Sequence, residues 1–245
     1  MNRPTRFNVC LQRNKLKHFT KKIICLAKSR KIGGLCYAGK EILKRDAIGD
    51  WIRPVSSRED EEISSKECEY EDGCKPELLD IVKVTFIKHK PTDYQCENYL
   101  IDDGYYWSKE GVFNKDNLMQ LCDHPRTLWE PHNSSYYGVN DRVLESRKHS
   151  LKDSLYLISP SSLTIEVQTE GEEFGNPRRK ARARFVYKDQ SFLFPITDPD
   201  IEKKYYRKEN GYYPFENTEG KVFICVSIGL AHEGYCYKFV ASIIK

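Results

Sequence analysis

Hydrophobic and polar residues alternate along much of the chain, and this alternation predicts β-strands. The clearest example is residues 179–187, in which small or aromatic residues alternate with Lys180, Arg182 and Arg184. A period of two is typical of a strand with one face buried and the other in solvent. Residues 78–88 form a β-branched, mostly apolar run that also favours a strand. Further strand-like segments are 22–27, 35–43, 51–56, 95–101, 154–158, 163–168, 191–196, 221–228 and 235–244.

Helices are predicted at only two places, and both are short. An Asn cap and an acidic first turn open residues 114–122. The sequence Thr197-Asp198-Pro199 caps a second helix that runs to about residue 206. Short strands, Gly/Pro turns and one small helix per half favour small closed or partly open barrels. A β-sandwich and a pair of SH3-like barrels fit the same pattern.

The predicted elements divide the chain into four parts. We expect a basic N-terminal extension at residues 1–21, a first barrel at 22–122, a connector at 123–150 and a second barrel at 151–245. The connector is polar, aromatic and irregular in pattern, which is why it is assigned to neither barrel.

Composition limits the class of protein. Of the 245 residues, 39% are hydrophobic and 31% are charged, which is typical of a globular chain. The apolar runs are strand-length and fall short of the about 20 residues that span a membrane. No apolar signal-peptide region accompanies the basic N-terminus. The nine cysteines are scattered and odd in number, so we interpret them as reduced thiols of a cytoplasmic protein.

No catalytic, metal or cofactor site is predicted from motifs. The chain has no GxSxG sequence and no Cys–His pair in a catalytic context. It also has no CxxC pair, and a metal site built from Cys122, His124 and His132 is less favoured than ordinary loop residues. We therefore expect a binding protein rather than an enzyme, and no cofactor.

A series of short motifs spans nearly the whole chain. It begins with IICLAKSRK at residues 23–31, followed by Gly33-Gly34 and CYAG at 36–39. It continues with GDWIRPVS at 49–56, YEDG at 70–73, LLDIV at 78–82, ENYLI at 97–101, TDP at 197–199, VSIG at 226–229 and EGYCYK at 233–238. In this order, over roughly residues 22–244, the chain resembles the bacterial dual OB-containing domain family. The resemblance implies a mostly-β fold of two OB-like small barrels with short helices and long loops. It also implies a nucleic-acid-binding role, with possible protein partners in a prokaryotic defence complex.

Positively charged and aromatic residues are the candidate ligand contacts. Guanidinium groups suit phosphates, and OB barrels bind single strands by stacking bases on rings within a cationic groove. Alternation places Lys180, Arg182 and Arg184 about 7 Å apart on one strand face, and Tyr235 and Tyr237 together on another. The full set of candidates is Lys28, Arg30, Arg53, Trp107, Arg179, Lys180, Arg182, Arg184, Tyr205, Tyr235, Tyr237 and Lys238.

Most of these candidates have a structural alternative. The basic residues at 178–184 could form a solvated face paired with the acidic loop at 57–77, and most of the rings could fill the cores. Arg53 is either a ligand contact or the partner of Glu97. Tyr235 and Tyr237 form either a ligand shelf or part of a barrel-closing strand.

A further anion site is conceivable near the start of the first barrel. Residues 28–34 are predicted to form a loop that contains Lys28 and Arg30 and ends in Gly33 and Gly34. Paired glycines permit the backbone of such a loop to form an anion nest. The loop has neither the spacing of a P-loop nor a following helix.

Three functions remain open from the sequence. A cationic, aromatic groove would bind single-stranded or structured DNA or RNA, with an affinity that falls steeply as salt rises. A pocket at a barrel mouth would instead bind a small nucleotide or modified base, which the modest net charge of +4 favours. A nucleic-acid-processing enzyme with an unfamiliar site is the third. We expect nucleic acid or a nucleotide as the partner, and no membrane.

Overall fold

The protein is mostly β and divides into two compact units. The computed structural model describes residues 18–31, 33–215 and 221–245. The first unit comprises the described residues up to Thr92 together with Cys96–Asn114, and the second comprises Asp93–Gln95 together with Lys115–Lys245. Most of the predicted N-terminal extension lies outside the described residues, and its last four positions belong to the first strand or directly adjoin it.

The first unit is a closed barrel of five strands with a sixth strand attached. The strands are β1 (Phe19–Lys31), β2 (Gly34–Ile42), β3 (Ile48–Val55), β4 (Asp80–His89), β5 (Asn98–Ile101) and β6 (Ser108–Val112). β1 pairs with β2 on one side and with β4 on the other. β3 pairs with β5 in parallel, and β5 pairs with β4. The ring therefore runs β1-β2-β3-β5-β4 and returns to β1, while β6 extends the edge of β4.

β1 can pair with both β2 and β4 because it bends in its middle. A β-bulge between Cys25 and Ala27 shifts the register with β2, and such bulges increase the local bend and twist of a strand. Gly39 lies opposite this bend, where a Cβ atom would stand 1.9 Å from the carbonyl oxygen of Ile24. The absence of a side chain at residue 39 thus lets the two backbones meet at the bend.

The second unit contains the remaining strands and the one α-helix of the described residues. The elements are β7 (Arg142–Leu144), β8 (Leu155–Ile158), β9 (Ser162–Glu170), β10 (Arg178–Tyr187), β11 (Gln190–Pro195), α1 (Pro199–Tyr205), β12 (Gly211–Pro214), β13 (Phe223–His232) and β14 (Tyr235–Ile244). They form two four-stranded sheets, ordered β11-β10-β9-β12 and β7-β14-β13-β8.

These two sheets close into a ring with the same strand order as the first barrel. β8 and β9 are consecutive segments interrupted at Pro160, and they pair with β13 and β10 respectively. They therefore occupy the position that the bent β1 occupies in the first unit. A parallel bridge between Ile196 and Val240 joins the end of β11 to β14. The ring runs β8/β9-β10-β11-β14-β13, and its parallel junction between β11 and β14 corresponds to the one between β3 and β5 in the first barrel.

Each barrel encloses its own apolar core. The core of the first unit includes Ile23, Tyr37, Ile52, Val84 and Phe86, all of them at most 1% exposed. In the second unit, Phe185, Phe192 and Phe194 pack against one another with ring centroids 5.2 to 5.5 Å apart. These rings come from the apolar faces of β10 and β11, as the alternation predicted for β10.

The helix predicted after Asp198 is confirmed, whereas the helix predicted at 114–122 is not an α-helix. The predicted connector belongs to the second unit. α1 begins after Asp198, whose carboxylate accepts hydrogen bonds from the amides of Asp200 and Ile201. Residues 115–121 form 3-10 turns rather than an α-helix. The segment 123–150 belongs to the second unit and contributes β7, which pairs with β14. Among the described residues, no helix is long and apolar enough to cross a membrane.

Candidate nucleic-acid interface

Five-stranded barrels of the OB type take ligands on a defined face. That face consists of the second and third strands, flanked by the loop after the first strand and the loop between the fourth and fifth. In the first unit these are β2 and β3 with the connection from β1 to β2 and the residues of this unit between β4 and β5, which are 90–92 and 96–97. In the second unit they are β10 and β11 with residues 171–177 and the turn at Glu233-Gly234.

On the first barrel, this face carries a tryptophan and two basic residues. Lys40 and Trp51 are paired across β2 and β3, and the Lys40 ammonium lies 5.6 Å from the centroid of the Trp51 ring. Arg53, two residues further along β3, is 5% exposed. Its Nη2 lies 2.9 Å from Oε1 of Glu97, so the structural role of Arg53 as the partner of Glu97 is confirmed.

Lys28 and Arg30 lie in a strand rather than in the predicted loop. β1 extends to Lys31, and Arg30 is directly opposite Leu35 on β2. The Lys28 ammonium is 2.8 Å from the Glu77 carboxylate, whereas Arg30 is exposed. The predicted loop over residues 28–34 is therefore wrong, because β1 continues to Lys31 and β2 begins at Gly34.

On the second barrel, the basic strand β10 is not a uniformly exposed row. Arg182 is 7% exposed, and its guanidinium donates to the Glu170 carboxylate at 2.6 and 3.1 Å. Nη1 also lies 3.5 Å from the carboxylate of Asp141. Arg184 is more accessible, with 43% of its side chain exposed, and it pairs with Glu166 at 2.8 Å. The expectation of an exposed site is thus wrong at Arg182, because carboxylates of β9 and residue 141 enclose it.

A segment of the same chain lies against β10 and β11 and helps to bury this arginine. We call residues 135–141 the covering segment. Val139 forms a bridge with Leu193 of β11, and the Asn140 side chain donates to the carbonyl of Ser191 at 2.9 Å. The Tyr137 hydroxyl accepts from the amide of Gly171 at 2.7 Å. These contacts place the covering segment along the edge of β11 and beside residue 171, next to the face on which OB barrels usually bind ligands.

Lys238 holds the covering segment from the interior. It is fully buried, and its ammonium donates to the carbonyls of Glu130 and Asn140, each at 2.8 Å. Burial lowers the pKa of Lys238 to about 7, although the charges of Asp141 and Glu130 oppose this effect. The predicted ligand contact at Lys238 is wrong, because no part of its side chain reaches solvent.

Tyr235 and Tyr237 lie side by side on the outer face of β14. Both are partly exposed, whereas Cys236 and Lys238 between and beyond them are buried. The two ring centroids are 6.2 Å apart. The guanidinium carbon of Arg142, on the neighbouring strand β7, lies 3.8 Å from the centroid of the Tyr235 ring. We call Arg142, Tyr235 and Tyr237 the tyrosine surface.

Local geometry fixes the shape of the tyrosine surface. Arg142 is directly opposite Tyr237 in the β7–β14 register, and its Nε donates to the side chain of Asn133 at 2.8 Å. This hydrogen bond orients the guanidinium plane over the Tyr235 ring. A guanidinium held over a tyrosine face is a favourable cation–π arrangement, and it leaves other N–H groups able to donate to a ligand.

Two predicted aromatic contacts are core residues. Trp107 is 3% exposed and Tyr205 is 4% exposed, so neither is available as a stacking platform. Trp107 packs edge-on against Tyr37 at 5.5 Å. It also borders a cleft of about 940 Å³ whose acidic lining residues are Glu71, Asp72, Glu77 and Asp80, against Lys75 and Lys109. A cleft with that balance of charge is unfavourable for a polyanion.

Arg179 and Lys180 lie on opposite faces of β10. Lys180 is partly exposed on the same face as Arg182 and Arg184, whereas Arg179 is partly exposed on the opposite face. Arg179 borders a separate cleft with residues that follow α1. The structure therefore does not bring the five basic positions of this strand together.

A metal centre finds no support in the described ranges. No three or more His, Cys, Asp or Glu side chains there form a group that could hold a metal ion. Cys122, His124 and His132 are among the residues covered by that statement.

Sequence reasoning did not identify Lys40 and Arg142 as site residues. Lys40 follows the CYAG motif and is only 9% exposed, and no local pattern indicates that it lies beside Trp51. Arg142 is in the predicted connector, where no strand was expected. Its proximity to Tyr235 depends on β7–β14 pairing across more than ninety positions, which no local pattern indicates.

Comparison with known proteins agrees with the geometry of the two barrels. The family model of the dual OB-containing domain matches residues 21–243. No curated protein and no solved structure matched the chain. With nearly the whole chain matched and two five-stranded rings of the same order observed, the chain belongs to the dual OB-containing domain family.

Proposed function

We propose that the protein binds single-stranded nucleic acid, with the tyrosine surface as a platform on which bases stack. The observation that carries this proposal is the close grouping of two partly exposed rings and one guanidinium on the outside of an OB-type barrel. Base–aromatic stacking contributes about 1–3 kcal/mol per base, and arginine adds cation–π interactions.

The location of the tyrosine surface supports the proposal. Tyr235 directly follows the β13–β14 turn, which is one of the two loops that flank the ligand face of OB barrels. The covering segment lies along β11, beside that face. A strand of nucleic acid bound to the second barrel would therefore lie along β14 and β7.

Phosphate contacts would come from accessible basic residues of the second barrel. Arg142 belongs to the tyrosine surface itself, and Arg184 keeps 43% of its side chain exposed although it pairs with Glu166. Such contacts release counterions, so affinity falls as salt rises. Stacking tolerates any base, because every base has an aromatic face, so we propose binding with little sequence preference.

Fluorescence anisotropy with labelled single-stranded DNA and RNA tests this function. We expect Tyr237→Ala to weaken binding by about tenfold, because one stacked base is lost. Tyr237→Phe keeps the ring and should bind like the wild type. Tyr212→Ala is the matched control, since Tyr212 is an exposed tyrosine of the same unit, on β12.

Two results would contradict the proposal. One is equal affinity of the wild type and Tyr237→Ala for every strand tested. The other is the absence of binding by the wild type at low salt, where electrostatic contacts are strongest.

A further inference from the structure

A second cleft, on the second unit, is lined mainly by cationic side chains. Its volume is about 490 Å³, and its lining residues are Arg179, Tyr206, Arg207, Lys208, Glu209 and Asn210. Three cations and one carboxylate give this lining a formal charge of +2. None of these residues belongs to the tyrosine surface, so the cleft is a separate feature.

The end of helix α1 explains only part of this concentration of charge. Cations are stabilised near the C-terminus of a helix, and Lys203 and Lys204 lie in the last turn of α1. Lys208 follows the helix, and its amide donates to the carbonyl of Tyr205. Arg179, however, comes from β10, and its presence in the cleft owes nothing to the helix.

Arg179 has hydrogen-bonding capacity that the described residues do not use. Its Nε is buried, and no acceptor in the described part of the chain lies within hydrogen-bond distance. Leaving a buried charged donor without an acceptor is unfavourable. A ligand that brings acceptor oxygens into the cleft would remove this cost.

Lys208 is held by rings rather than by a carboxylate. Its ammonium lies 4.4 Å from the centroid of Tyr213 and 5.0 Å from that of Tyr205. No ion pair joins Arg179, Arg207 or Lys208 to a carboxylate of the described residues. The rings position the ammonium without neutralising it, so within the described part of the chain these three positive charges are not cancelled by an ion pair.

We propose that this cleft binds a phosphate group, either of a mononucleotide or of a nucleic-acid backbone. Guanidinium groups donate to phosphate oxygens through paired N–H groups, and a lysine ammonium adds a point charge. A volume of about 490 Å³ is within the range of small-molecule sites, so a whole nucleotide fits. The site does not require the tyrosine surface to function.

Isothermal titration calorimetry on the full chain tests this site with four probes. They are inorganic phosphate, a nucleoside monophosphate, the matching nucleoside and a short single-stranded oligonucleotide. We expect the phosphate-bearing probes to bind and the nucleoside to bind at least tenfold more weakly than its monophosphate. Arg179→Gln and Lys208→Gln should each weaken the monophosphate by about tenfold, the loss of one charged hydrogen bond.

Controls separate this proposal from the proposed function and from misfolding. Lys203→Gln removes an exposed cation of α1 that does not line the cleft, and it should leave binding unchanged. Tyr237→Ala should keep monophosphate binding even where it loses the oligonucleotide. Thermal melts identify any variant that does not fold, and Lys208→Gln remains informative if Arg179→Gln is one of them.

The competition between probes identifies the source of the phosphate. A monophosphate that displaces the oligonucleotide indicates a backbone phosphate, and one that binds alongside it indicates a free nucleotide. Equal affinity of wild type, Arg179→Gln and Lys208→Gln for the monophosphate would overturn the proposal. So would equal affinity for nucleoside and monophosphate.

Discussion

Arg182 and Arg184 show how the same residue type on one strand face can have two roles. They are two positions apart on β10, yet Arg182 is enclosed by Glu170 and Asp141 while Arg184 is largely accessible. A buried charge is tolerated only where its partners satisfy it. Arg182 therefore contributes to the stability of the second barrel, and Arg184 can contribute to binding.

We expect Arg182→Gln to lower the free energy of unfolding by about 3–5 kcal/mol, since it leaves Glu170 and Asp141 buried without a positive partner. Arg184→Gln is the matched control and should cost less, because 43% of the Arg184 side chain is exposed to solvent although Glu166 is buried. Urea denaturation measures both. Equal losses in the two variants would contradict the enclosure of Arg182 by buried carboxylates.

Lys238 gives the second barrel a pH-dependent stability. The native pKa is about 7, whereas the unfolded chain keeps the proton to about the ordinary value of 10.5. Unfolding therefore takes up a proton between these values, so this residue makes stability rise with pH across that window. Below pH 7 both states are protonated, and the contribution no longer changes.

Lys238→Met removes this dependence. We expect the stability of the wild type relative to the variant to increase as pH is raised from about 7 towards 10, in parallel denaturation series. Taking the difference cancels the other titrating groups, which are common to both proteins. Parallel curves for the two proteins over this range would contradict a lowered native pKa.

At the scale of elements, local alternation was sufficient to predict strands but not their partners. The apolar face of β10 was correctly predicted because its period-two pattern is contained within ten residues. The partners of its arginines come from β9 and from residue 141, and the Arg182–Asp141 contact spans 41 positions. The sequence therefore indicated the presence of a charged face without indicating that both of its arginines are paired with carboxylates.

β7 was not predicted because its formation also depends on a distant partner strand. A three-residue strand in a polar, aromatic segment has too short a pattern to be recognised, and its existence depends on pairing with β14. Missing β7 also meant missing Arg142, so only two members of the tyrosine surface were predicted. The rings themselves were found because Tyr235 and Tyr237 alternate with buried residues in one strand.

The close approach of β1 and β2 gives a test at this scale. A Cβ atom at residue 39 would stand 1.9 Å from the Ile24 carbonyl oxygen, a backbone atom that cannot move without disturbing the strand. We expect Gly39→Ala to destabilise the first barrel by at least about 1–3 kcal/mol. Gly211→Ala, where the nearest atom would be 3.7 Å away, should change stability far less. Thermal melts of the two variants provide the comparison, and equal midpoints would argue against the observed strand approach.

At the scale of the whole molecule, the central observation is one ring topology used twice. Each barrel is closed by one parallel junction. It lies between β3 and β5 in the first barrel and between the end of β11 and β14, at the Ile196–Val240 bridge, in the second. Two barrels were predicted from motif order, but this ring closure was not, because it joins residues more than forty positions apart. The family match over residues 21–243 and the two rings thus support the same architecture independently.

The function we propose depends on where a strand of nucleic acid lies on the second barrel. Photo-crosslinking measures this directly, with a single-stranded oligonucleotide that carries iodouracil at internal positions and mass spectrometry of the digested complex. We predict crosslinks at Tyr235 or Tyr237, because stacked rings hold the base in contact with these side chains. Crosslinks confined to other residues, or crosslinks at undiminished yield in the Tyr235→Ala/Tyr237→Ala double variant, would contradict the tyrosine surface as the binding platform.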